Sequence, residues 1–108
     1  MIKKVIKSEK EAAKVAKELV KDLREVLAIY ESYEVKVEQT SSDYQVVVTS
    51  PEGCCNILTD SCVGNMMEVY CMYNLQYQRT NYHIDVVESG EKHIPAFVIS
   101  IGYEKENQ

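Results

Sequence analysis

The sequence predicts a single α+β domain: two layers, with a mostly antiparallel sheet of about five strands and two helices packed on one face, in the order α-β-β-β-α-β-β. Three observations predict it. A capped apolar stripe of helical period opens the chain, several segments alternate apolar and polar residues with a period of two, and turn-forming residues separate them. The 108 residues suit one core, and the 45% apolar content is enough to fill it. The whole of 1–108 reads as one unit, with fraying expected at 1–7 and 104–108.

The first helix is the clearest element. Ser8 followed by Glu11 is a capping box, in which each side chain satisfies a backbone donor at the helix start. Ala12, Ala16, Leu19, Leu23, Val26 and Tyr30 then recur at steps of four and three, and Val15, Val20 and Leu27 widen the stripe. No glycine or proline interrupts it, so the helix is expected to run to about Glu31.

Two strands follow. Tyr33, Val35 and Val37 alternate with Glu34, Lys36 and Glu38, and Tyr44, Val46 and Val48 repeat the pattern after a polar turn at Gln39–Asp43. Pairing Val37 with Tyr44, Val35 with Val46 and Tyr33 with Val48 makes one dry face. The wet face then holds Glu34, Lys36, Glu38, Asp43 and Gln45, with Val47 its lone apolar member.

Ser50-Pro51-Glu52-Gly53 is a turn signal, and Cys54–Thr59 reads as a short strand after it. Asp60 or Ser61 is expected to cap a second helix to about Gln78, weakened in its first turn by Gly64. This helix is unusually poor in charge, because Glu68 is its only charged residue between Ser61 and Gln78. A last hairpin closes the chain: Tyr82, Ile84 and Val86 face Phe97, Ile99 and Ile101 around Ser89-Gly90, with Glu88 opposite Glu91 and Tyr82 opposite Phe97. Pro95 implies that the final strand begins at an edge or just after that residue.

Charge is divided unevenly. Residues 1–24 carry eight basic and four acidic groups, a balance of +4; residues 25–108 carry four basic and thirteen acidic ones, a balance of −9. Lys10, Lys14, Lys17, Lys21 and Arg24 line one flank of the first helix, as in a phosphate-binding helix. Glu11, Glu18, Asp22 and Glu25 are interleaved with them, and the acidic remainder repels polyanions, which argues against direct nucleic-acid binding. Lys14–Glu18 and Lys21–Glu25 pairs would make the flank an ordinary solvated surface.

The motifs of common enzyme chemistry are missing. Cys54, Cys55, Cys62 and Cys71 include no C-x-x-C pair, and His83 and His93 fall on opposite faces of their hairpin, so no metal site is expected. The four glycines are scattered, so no glycine-rich loop cradles a phosphate. Cys62, in the first turn of the second helix, is the best-placed nucleophile, yet no base accompanies it. No cofactor is implied. The N-terminus has no apolar run resembling a secretion signal, and no stretch approaches the roughly 20 apolar residues of a membrane span, so a cytoplasmic setting with reduced thiols is expected.

Tyrosine is the feature that stands out. Eight of the nine aromatic residues are Tyr, a side chain suited to surfaces that bind. Tyr70, Tyr73 and Tyr77 share a helical stripe with Met66, and Met67 and Met72 add adaptable surface beside it. The leading expectation is a small acidic non-enzymatic protein, an adaptor or inhibitor docking on a larger macromolecule. Its contacts would be Met66, Tyr70, Tyr73 and Tyr77, or the acidic face Glu34, Glu38 and Asp43 set into a basic groove, in the manner of small phage-encoded inhibitors. The partner is then a protein, and a homo-oligomer is an equal use for the apolar helix surface. Two other classes stand beside it: a binder or sponge for a nucleotide-like small molecule with a tyrosine-lined pocket, and a cysteine-dependent enzyme built on Cys62.

Overall fold

A computed structural model describes residues 2–29, 33–50 and 60–104. Helix α1 (Glu9–Leu27) is followed by strands β1 (Glu34–Gln39) and β2 (Asp43–Thr49), helix α2 (Asp60–Gln76), and strands β3 (Thr80–Ser89) and β4 (Lys92–Gly102). The fold is α+β. Its four strands form one antiparallel sheet in the order β1-β2-β4-β3, so the described residues hold four strands rather than about five. The strand expected at Cys54–Thr59 lies outside the described residues.

Ser8 caps α1 in extended backbone, and its side chain accepts the Glu11 N–H at 3.1 Å. The Glu11 carboxylate reaches back one residue further than a capping box requires, to the Lys7 N–H. Ala12, Val15, Ala16, Leu19, Leu23 and Leu27 form the buried face. The helix stops at Leu27, short of Glu31, which makes it about 28 Å long.

Both hairpins keep the expected faces but shift their register by two residues. Val37 pairs with Val46 and Val35 with Val48, because the first turn is tighter than Gln39–Asp43. The Thr40 N–H donates to the Asp43 carbonyl, and the Thr40 hydroxyl donates to the Asp43 carboxylate, so pairing extends to Gln39 and Tyr44. In the second hairpin Tyr82 pairs with Ile99 and Ile84 with Phe97, and the turn centres on Gly90-Glu91. Gly90 has φ 65°, the conformation that a two-residue turn with glycine first requires, and this moves the turn one residue along.

Both helices cover the sheet face that carries Val46, Val48, Phe97, Ile99 and Ile101. The inward side of α2 is Cys62, Met66, Val69 and Tyr73. The opposite face is less uniformly wet than the alternation implied: Val98, opposite Val47, and Ala96 are buried there too.

The described residues before α1 pack onto the rest of the fold. The Lys4 N–H donates to the Gln76 carbonyl, the Gln78 N–H donates to the Lys4 carbonyl (both 2.8 Å), and Ile6 is buried in the core. The Glu104 N–H donates to the Ile6 carbonyl at 2.9 Å. Residues 105–108 lie outside the described residues.

Candidate functional site

The outer flank of α1 and the edge strand β1 enclose a groove. Because α1 lies over β1 and β2 with its leucines inward, the residues one step around the helix, Ala13 and Val20, turn toward the sheet edge. Val37 of β1, almost half exposed, and Tyr44 of β2 complete an apolar floor. The groove measures about 800 Å³ at its Tyr44 end and continues past Lys17 and Val37 into a shallower stretch of about 470 Å³.

Its rim is cationic. Lys10, Lys14, Lys17, Lys21 and Arg24 are all exposed and all border the groove. None of the five makes an ion pair among the described residues; the pairs formed there are Lys36–Glu34, Arg79–Glu104 and His93–Glu88. The expected Lys14–Glu18 and Lys21–Glu25 pairs are therefore not made. Lysine placed N-terminal to glutamate is the weaker of the two orders, and water competes for both ends. Among the described residues, Glu11 and Glu25 are the only carboxylates on the groove wall.

Tyr44 closes one end. Its ring tilts against Tyr103 with centroids 6.0 Å apart, and desolvation, then the neighbouring Glu9 carboxylate, pushes its hydroxyl up from the usual tyrosine range. It therefore stays a neutral hydrogen-bonding group. Glu9 is itself engaged, since the Gln39 side-chain amide donates to it at 2.6 Å.

The residues singled out from the sequence are scattered. Met66 and Tyr73 are core side chains. Tyr70 and Tyr77 are half-buried, Tyr70 edge-on to Tyr82 at 4.9 Å and Tyr77 stacked on Tyr73 at 6.4 Å. The outward side of α2 instead presents Met72 and Leu75. Glu34, Glu38 and Asp43 do share one sheet face, but Glu34 is 3.3 Å from the Lys36 ammonium and Asp43 accepts from Thr40. Cys62 is buried in the core, while Cys71 is exposed. Cys54 and Cys55 lie outside the described residues. His83 and His93 stand on opposite faces, and the described residues contain no group of three His, Cys, Asp or Glu side chains placed to hold a metal. No described helix is long and apolar enough to cross a membrane.

The α1 cations were legible as a stripe, but their other wall was not, because nothing in the sequence says that Val37 comes to rest beside Val20. No protein-family model, curated protein or solved structure matches this chain.

Proposed function

We propose that the chain is a non-enzymatic protein-binding module, an adaptor or inhibitor that seats an acidic amphipathic segment of a larger protein in the groove between α1 and β1. One observation carries this reading: five exposed cations without ion pairs among the described residues border a floor made of Ala13, Val20, Val37 and Tyr44. An apolar floor inside a charged rim matches a segment that offers both apolar side chains and carboxylates. A nucleic acid would use the rim but not the floor. It would also meet the acidic remainder of a chain whose net charge is −5.

The acidic sheet face supports docking less well, because Lys36 and Thr40 already occupy Glu34 and Asp43. A tyrosine-lined pocket has no support, since Met66 and Tyr73 fill the core. A Cys62 nucleophile is sealed from solvent.

The test is titration of a fluorescent acidic amphipathic peptide, with a basic peptide and a single-stranded oligonucleotide as comparisons. The acidic peptide should bind, weaken as salt is raised, and lose about tenfold in affinity in the double variant Lys14→Glu, Lys21→Glu. Equal binding by that variant, or tighter binding of the oligonucleotide, would overturn the reading.

A further inference from the structure

A second surface, apart from the groove, is the outer edge of the sheet. β3 is the outermost strand of the sheet, with no strand on its other side among the described residues. The Gly102 N–H donates to the Arg79 carbonyl at 2.9 Å, which fixes the phase of the ladder: odd-numbered residues of β3 bond to β4. Tyr82, Ile84 and Val86 therefore turn their backbone groups outward. The Val86 N–H agrees with this phase, since it goes to the Asp85 carboxylate at 2.8 Å. The same three side chains form an apolar row, 45%, 49% and 55% exposed. The free run begins at Tyr82, because the Thr80 carbonyl already accepts from the Asn74 side-chain amide at 3.0 Å.

We propose that β3 pairs antiparallel with β3 of a second copy, about a two-fold axis at Ile84, joining two four-stranded sheets into one. The strand is complementary to itself in this register. Ile84 faces Ile84, Tyr82 faces Val86, and on the other face His83 stands opposite Asp85, twice over by symmetry. Sliding by two residues in either direction sets Asp85 against Asp85 or His83 against His83, and a slip of one residue puts the outward backbone groups out of phase. Complementarity of imidazole donor and carboxylate acceptor thus selects one register. On pairing, the Asp85 carboxylate leaves the Val86 N–H for His83 of the second copy, and the freed N–H donates to the Tyr82 carbonyl across the axis. An edge this narrow gives a concentration-dependent dimer rather than a permanent one.

Ile84→Cys and Val86→Cys, each in a Cys71→Ser background, test the register under mild oxidation. Cysteines at 84 face each other about 5.5 Å apart between Cα atoms, within disulfide reach, whereas those at 86 lie four residues apart along the strands, about 13 Å. Ile84→Cys should give at least tenfold more reducible dimer than its parent, and Val86→Cys no more than its parent. Sedimentation equilibrium supplies the independent arm: His83→Asp and Asp85→His should each weaken the dimer about tenfold, and the double swap should restore it. A monomer at every concentration, equal cross-linking at 84 and 86, or no recovery in the swap would overturn the proposal. Peptide binding in the groove does not depend on any of these outcomes.

Discussion

The Tyr73 hydroxyl donates a 2.6 Å hydrogen bond to the Asp22 carboxylate, joining α2 to α1 above the covered face of the sheet. The ring of Tyr73 is buried, so its hydroxyl has few other partners, and a carboxylate acceptor makes the bond short and strong. Tyr73→Phe removes the donor while keeping the ring. It should lower stability by about 1–2 kcal/mol, read as a shift in urea midpoint at neutral pH, with the far-ultraviolet dichroism unchanged.

The same contact makes stability depend on alkaline pH. Desolvation, with the hydrogen bond to Asp22 second, raises the Tyr73 hydroxyl well above its ordinary value of 10.0. Its stabilising contribution is complete below the unfolded value. It is lost as pH rises past that point, where the unfolded phenol ionises and the folded one does not. Stability should therefore fall as pH climbs beyond about 10, and less steeply in Tyr73→Phe. A residual slope is expected in the variant, because burial also raises Tyr44, Tyr70 and Tyr77. Urea midpoints from about pH 8 to about pH 11 would show it.

How far such contacts can be read from sequence depends on how strongly each element contrasts its faces. In α1 the charged and apolar residues separate cleanly, so its cap and its buried leucines were visible in advance. In α2 only Glu68 is charged between Ser61 and Gln78, so helical period could not choose an inward side. Met66 and Tyr73 read as candidate contacts for a partner, yet they are buried, and the outward side presents Met72 and Leu75. Strand alternation decides which face a residue joins but not which neighbour it meets, since a two-residue slide preserves the face. The neighbours were settled by turn chemistry, the Thr40–Asp43 contact in one hairpin and the left-handed Gly90 in the other.

Gly102 and Arg79 meet where β4 ends and β3 begins. A Cβ at position 102 would sit 3.0 Å from the Arg79 Cβ and 3.2 Å from its carbonyl oxygen. Arg79 has φ 60°, a left-handed backbone that its side chain makes costly, so it has little freedom to yield. Gly102→Ala should destabilise by about 1–3 kcal/mol. Adding Arg79→Gly removes one of the two crowded atoms, so the pair should be less destabilised than the sum of the singles. A double-mutant cycle on thermal or urea unfolding measures that coupling.

Leu19 is fully buried in the core cluster that α1 shares with the sheet and the inner side of α2. Truncation to alanine leaves a cavity that close-packed neighbours cannot fully fill. Leu19→Ala should cost about 2–5 kcal/mol of unfolding free energy, whereas Ala13→Ser, on the groove wall, should stay within about 0.5 kcal/mol of the parent. The contrast, measured by urea denaturation, separates the load of the two sides of one helix.

Ile6 carries the last prediction, because it holds down the segment that ties the chain's beginning to the end of α2 and the end of β4. Its side chain is buried, its carbonyl accepts from Glu104, and two residues earlier Lys4 bonds to both Gln76 and Gln78. If burial of Ile6 anchors the strap, Ile6→Ala should cost about 2–5 kcal/mol and loosen the backbone bonds beside it. Amide exchange gives the local signature. The Gln78 N–H, whose acceptor is the Lys4 carbonyl, should lose protection more than the Ile99 N–H in the sheet, over and above the loss that global destabilisation imposes on both. Equal losses at the two amides would mean that the strap opens only when the whole domain does.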